Sequence, residues 1–433
     1  MRKFFLFVMS KIINIKGLLE RFKNRNFLLV FLLIYCSQDA LLFGTNANKI
    51  FFIVKNIILV FVFFFLVRKT TKNIEIDIGK SNIVLYGLIS MSLLTSLLNF
   101  DITFKYLYEI LLILIAYNIT RNLSFDKFKE YFVYSLYYLS LLSVILYAIS
   151  LFSYSLIELM PSFKNESGYI YYSFLGLCNV SEVPMYGMMR NASLFREPGV
   201  YAIFLIISLV FLYNTNTIHK RQRNKIMFVS SIAILTTLST AGYIGLLLLI
   251  GYLVLGKSNQ IGFGSKLFVI LLCIVGVYYV LTNDSLYSSV FDKMSGGNDS
   301  ANSRFGAIFN NIEMWSKDGV SILFGNGYQY VENNISLVAT EKEYISTHNT
   351  NTLFKMLSVH GFFYFITIIS LLYAASRKIT SNHFSLYVML LFCIMLSNED
   401  LIFNQIIYII LFYGFSTKNT YNENTIFGNI VSA

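Results

Sequence analysis

The chain has 433 residues, of which 56% are hydrophobic and only 13% charged, and its formal net charge is +11. A soluble protein of this length would be near a quarter charged, and the deficit accompanies many apolar runs of about 17–25 residues, so a soluble enzyme is excluded and a chain that threads a bilayer repeatedly is expected. Runs such as IILVFVFFFLV lack the alternation of barrel strands, which leaves helices as the spanning elements.

Residues 1–26 are basic and carry an apolar run too short for a signal-peptide core, which predicts an interfacial N-terminal helix on the cytoplasmic side. A single polytopic domain is expected over 27–415, followed by a cytoplasmic tail at 416–433. Its twelve spans fall near 27–43, 50–67, 82–99, 104–120, 131–153, 197–214, 226–238, 241–256, 267–282, 350–375, 384–397 and 401–415. The stretch 226–256 is long for one helix, and Ser239-Thr240-Ala241-Gly242 supplies a break. With both termini in the cytoplasm, 23 of the 34 Lys and Arg residues fall on inner segments and nine on outer ones. That asymmetry is a topology signal, not a nucleic-acid footprint. The two long segments, 154–196 and 283–349, both lie outside in this scheme. Cys36, Cys178, Cys273 and Cys393 are far apart and form no CxxC, so neither a disulfide framework nor a zinc site is expected.

The polar residues that could carry chemistry gather on the outer side. The first outer segment ends with Arg190, Arg196 and Glu197 ahead of a span that opens at Pro198. Arginine grips phosphate through two parallel hydrogen bonds, and a helix N-terminus adds positive potential. The same charges also suit plain interface anchoring. The second outer segment offers Arg304, then Phe324-Gly-Asn-Gly-Tyr-Gln-Tyr330, then His348 and Asn349 at the mouth of the tenth span, with Lys355 two turns on. His360 falls inside that span, where a packed, hydrogen-bonded histidine is the expectation. Asp39, Lys55, Glu109 and Lys355 each sit in the outer half of a span, which points to a water-filled cavity opening outward. Tyr169, Tyr171, Tyr172, Tyr328 and Tyr330 are candidates to stack on sugar faces. The Ser397–Asp400 turn presents Glu399 and Asp400 and reads as a solvated cap. No DxD, HExxH or clustered ligand set occurs in the outer segments, so no metal is expected.

Arg190-x-x-Ser193-x-Phe195-x-Glu197-Pro198 leading into a span resembles the motif of the O-antigen polymerase family (Wzy-type), within the O-antigen polymerase/ligase superfamily. Leu238–Gly245 is similar to the next segment of that superfamily, and Arg304…Gly325-x-Gly327…His348-Asn349…Gly361 is similar to its second outer loop and following helix. The resemblance covers the C-terminal half in order. It implies an all-α, GT-C-like membrane glycosyltransferase of the bacterial inner membrane, without cofactor or metal. Such an enzyme polymerises undecaprenyl-pyrophosphate-linked oligosaccharide repeats in lipopolysaccharide or other polysaccharide biosynthesis. Its partners would be membrane lipids and a chain-length regulator protein, with no nucleic acid. His348, Glu197, Arg190 and Arg304 become the catalytic candidates, and Arg196, Asn349, Lys355 and Tyr328 the substrate-binding ones. The chain departs from many superfamily members at Ala241-Gly242-Tyr243, where those carry an arginine. An O-antigen ligase acting on lipid A-core is the nearest alternative, and a lipid-linked-glycan flippase or other transporter the alternative of a different class.

Overall fold

A computed structural model describes residues 20–44, 49–69, 78–165, 168–182, 189–256, 299–340, 349–380 and 384–415, with the backbone alone at 69, 78, 255–256, 299–305 and 336–340. In chain order these residues form α1 (Arg25–Tyr35), α2 (Leu41–Gly44), α3 (Lys49–Lys69), α4 (Ile78–Leu98), α5 (Phe104–Asn122), α6 (Phe125–Phe152) and α7 (Tyr154–Glu158). A small sheet follows, made of β1 (Ser162–Lys164), β2 (Ile170–Phe174), β3 (Cys178–Ser181) and β4 (Asn191–Ser193). Then come α8 (Pro198–Tyr213), α9 (Lys220–Thr236), α10 (Thr240–Gly256), α11 (Asp299–Trp315), α12 (Gly319–Phe324), α13 (Gly327–Thr340), α14 (Thr352–Ile379), α15 (Ser385–Leu396) and α16 (Gln405–Tyr413).

Four of these helices, α3, α4, α6 and α14, are long and apolar enough to cross a membrane. Helices stand at eleven of the twelve expected span positions, and the position 267–282 lies outside the described residues. Several are short: α1, α15 and α16 have 11, 12 and 9 residues, below the about 20 that one straight crossing needs. The apolar faces are sorted by neighbours. Helix α8 is hydrophobic all round and buried from Pro198 to Leu212, which makes it the central post between α6, α9 and α10. Helix α3 instead turns Ile50 (76% exposed), Phe61 and Phe64 outward, a face suited to lipid.

The expected break between α9 and α10 falls at Thr237–Ser239, where Leu238 takes a positive φ of 47°. A sharper break interrupts α14 at Gly361 (φ 80°, ψ −175°). There the α12–α13 loop docks: Asn326 N–H donates to the Ser358 carbonyl at 2.9 Å, and its side-chain amide donates to the Met314 carbonyl at 2.8 Å. A Cβ at Gly361 would lie 2.5 Å from Gly325 N and Leu323 O, so this crossing needs glycine on both sides.

The all-α expectation is corrected at 162–193. These residues form a four-stranded antiparallel sheet in the order β1-β2-β3-β4, with a bulge at Asn179/Val180. The chain leaving β4 pairs with the α1–α2 connection: Leu41 N–H donates to the Leu194 carbonyl, and Arg196 N–H to the Asp39 carbonyl at 2.7 Å. The segment 283–349 is described in part, over 299–340 and at 349. Its described part is helical, and α12 and α13 pack against α14 inside the bundle.

Candidate functional site

The backbone pairing of Arg196 with Asp39 sets up a polar cavity of about 190 Å³ at the end of the bundle where α1 ends and α8 begins. Its wall includes Gln38, Asp39, Lys105, Arg196, Lys355 and Asp400. Arg196 Nε donates to Asp39 Oδ1 at 3.2 Å, and Arg196 Nη2 donates to the Asp400 carbonyl at 3.0 Å. Glu197 Oε1 lies 3.6 Å from Arg196 Nη1. Burial alone would lower the guanidinium's pKa, but Asp39, Glu197, Glu399 and Asp400 outweigh it and raise it. Asp39 also accepts from the Asn404 amide, so α16 is tied to the same wall. Across the cavity Lys355 Nζ meets Asp400 Oδ2 at 2.6 Å, and Lys105 pairs with Glu332. Three cations and three carboxylates therefore line the space in alternation.

Behind this cavity lies a second layer of polar residues. The N-terminus of α14 is capped by Asn351, whose side chain accepts from Phe354 N–H at 3.0 Å and donates to the Ser397 carbonyl. Thr352 Oγ1 donates to the Glu399 carbonyl and accepts from Leu401 N–H, which fixes the 397–401 turn. Glu399 is consequently only 3% exposed, and the reading of this turn as a solvated cap is corrected. Its carboxylate packs on Gly199 in the first turn of α8, where a Cβ would collide with it and would sit 3.6 Å from Ser239 Oγ. The buried phenol of Tyr171 marks the meeting point. Burial and the charge of Glu197 push its pKa up, with Glu399 adding to this and Arg190 and Arg196 opposing it.

The expected site residues distribute unevenly. Arg196, Lys355 and Asp39 line the cavity, and Lys55 joins its edge by donating to Gln38 at 2.6 Å. Arg190 does not line the cavity; its Nε donates to the Thr237 carbonyl at the C-terminal end of α9. Asn349 exchanges side-chain hydrogen bonds with Asn311, at 2.9 and 3.0 Å, and so ties the approach to α14 onto α11. Arg304 lies on α11, where the backbone alone is described, and His348 lies outside the described residues. Tyr328 and Glu109 do not reach the cavity. No family model, curated protein or solved structure matches this chain.

Glu109 and Tyr328 belong instead to a dry cluster beside the α14 break. Glu109 accepts from Ser92 (2.9 Å), Tyr364 (2.6 Å), Tyr408 (3.1 Å) and Tyr328 (3.2 Å), and His360 Nε2 is 3.2 Å from its Oε1. Glu109 and His360 are both closed to solvent, so the carboxylate is held by donors from α4, α13, α14 and α16. Tyr328, expected as an exposed ring for stacking on a sugar, is fully buried with its hydroxyl committed to this cluster. Tyr171 is likewise buried, whereas Tyr169 is 52% exposed. The residues that sequence reasoning passed over are Asn404 and Glu332, while Asp400, read as part of a solvated cap, lines the cavity. Only the spacing of Asn404 ahead of the last apolar run, a capping signal, could have marked one of them.

Proposed function

We propose that this chain is a multi-pass inner-membrane glycosyltransferase of the O-antigen polymerase type, with both termini cytoplasmic, twelve spans and the cavity end facing outward. One observation carries this reading. Segments far apart in sequence, 190–199, 237–242, Lys355 and 399–400, meet at one end of a helical bundle, where Arg196, Lys355 and Asp400 line a polar cavity. The first two carry parts of the family resemblance.

The chemistry follows from what those groups can do. A wall that alternates carboxylates and cations offers both acceptors and donors to vicinal hydroxyls, which suits a neutral, hydroxyl-rich sugar. Arg196 and Lys355 are already committed to carboxylates, so they hold the wall rather than a free anion. Arg190 and Arg304 are the residues we assign to the diphosphate of the lipid carrier. In the reaction the acceptor hydroxyl oxygen bonds to the anomeric carbon as the carbon–oxygen bond to the diphosphate breaks. The hydroxyl proton passes to His348 or Glu197, and the bond's electron pair leaves with the diphosphate. Losing one preorganised donor to a developing charge typically costs about 10²–10³ in rate. Purified protein supplied with lipid-linked repeats is expected to make a ladder of lengths, and Arg190→Lys and Arg304→Lys to lose most of it, since lysine keeps the charge but not the fork. Wild-type lengths from both lysine variants would overturn the diphosphate assignment, and a product that never exceeds one repeat from wild-type protein would overturn the polymerase.

A further inference from the structure

A second and larger cavity, about 820 Å³, opens at the opposite end of the bundle. Three helices place it there. Helix α1 runs from Asn24 in this cavity to Gln38 at the other, and α8, 16 residues and about 24 Å long, separates Arg196 from the α9 start. Helix α6 likewise begins here and ends beside α7 and the sheet. Two polar cavities that far apart match the two faces of a hydrocarbon layer about 30 Å thick.

The charges in this cavity do not balance as those in the first do. Arg21, Lys127, Arg221 and Lys225 face Glu20 and Glu130, and Glu130 is already shared by Arg21 (3.4 Å) and Lys127 (3.3 Å). Among the described residues neither Arg221 nor Lys225 has a carboxylate partner. Arg221 stands in the first turn of α9 and Lys225 one turn on; that first turn has no acidic residue, and its N-cap, His219, makes no side-chain cap bond. Cations at a helix N-terminus are on the wrong end of the macrodipole, an arrangement that an anion bound between them would reverse. The wall opposite is phenolic: Tyr131, Tyr137 and Tyr138 line it, and Arg21 lies 3.3 Å over the Tyr134 ring.

We infer that this cavity binds a phosphate-bearing anion, held between the α9 N-terminus with Arg221 and Lys225 on one side and the α6 tyrosines on the other. The phosphate could come from an anionic lipid headgroup in the adjoining leaflet or from a soluble phosphate ester. The inference is independent of the glycosyltransferase reading. The test is a binding titration on the full chain in neutral detergent, followed by thermal midpoint, with phosphatidylglycerol, phosphatidylcholine and inorganic pyrophosphate as separate probes. Wild-type protein is expected to respond to phosphatidylglycerol or pyrophosphate and not to phosphatidylcholine. The double variant Arg221→Glu/Lys225→Glu, at two exposed positions, is expected to bind roughly tenfold or more weakly, and Arg221→Lys/Lys225→Arg within about twofold of wild type. A response to phosphatidylglycerol alone makes a lipid the source, and one to pyrophosphate alone makes it a soluble ester; either supports the site. Equal responses to all three probes, or unweakened binding by the charge-reversed protein, would overturn it. Should that double variant fail to fold, Lys225→Gln replaces it with the same criterion.

Discussion

Asp39→Asn removes one charge from the cavity wall and keeps its shape, and paired with Arg196→Gln it closes a double-mutant cycle. The two side chains meet at 3.2 Å and are 2% and 15% exposed. At an effective dielectric constant near 20, unit charges at this distance attract by about 5 kcal/mol. Desolvation takes back much of that, and hydrogen bonds between charged groups typically keep ~1.5–3 kcal/mol, the coupling expected here. The single variants should differ. Asp39→Asn leaves Arg196 with the Asp400 carbonyl at 3.0 Å and Glu197 at 3.6 Å, a loss of about 3 kcal/mol at most. Arg196→Gln leaves a buried carboxylate with the Asn404 amide as its remaining side-chain donor among the described residues, and a loss of ~3–5 kcal/mol is expected. Urea unfolding in detergent, read by circular dichroism, gives the four stabilities. Additivity within about 0.5 kcal/mol, or a costlier Asp39→Asn, would refute the ion pair as the brace of this wall.

Gly361→Ala and Gly325→Ala place a side chain in a conformation close to glycine-only and against opposing backbone, so each should cost about 3 kcal/mol or more in the same unfolding assay. A loss below about 1 kcal/mol would mean the loop does not dock into the α14 break. Asp318 caps α12, and hydrogen bonds from Ser321 hold its carboxyl below the usual carboxylate range. Its contribution is therefore present above the unfolded carboxylate pKa and lost as pH falls through the lowered value. The thermal midpoints of wild type and Asp318→Ala should differ at neutral pH and converge in acid; a pH-independent gap would contradict the cap. In a cysteine-free background, Leu175→Cys on the exposed β2–β3 turn should react with an impermeant maleimide in cells with an opened outer membrane, and Asn224→Cys on α9 should not. Equal labelling would refute the orientation.

Much of the helical layout was readable from apolar runs because in lipid-like surroundings hydrophobicity decides where a helix can lie. Pro198 at the start of α8 and the break after α9 were readable for the same local reasons. The sheet was not. Tyr171 and Ser173 alternate in burial with Ile170 and Tyr172, a period-2 signal five residues long and hidden among 31 tyrosines. The cavity was half readable. Depth in a span flagged Asp39, Lys55 and Lys355, but the same criterion swept in Glu109, since depth says nothing about which way a helix face turns. Glu109 faces α13 and α14, and its three tyrosine partners lie 219 to 299 residues away, beyond the reach of local pattern. Tyr328 reads as an outer-loop aromatic from sequence, whereas the positive-φ glycines at 325, 327 and 361 let its segment enter the bundle.

The most direct test is the length distribution of the surface glycan in a strain whose copy of this chain has been deleted. Loss of long glycan with single repeats still attached is expected, with full length restored by the wild-type chain and not by Arg190→Lys expressed at the same level. Glycan of unchanged length in the deletion strain would contradict the polymerase, and loss of all attached repeats would make the chain a ligase instead.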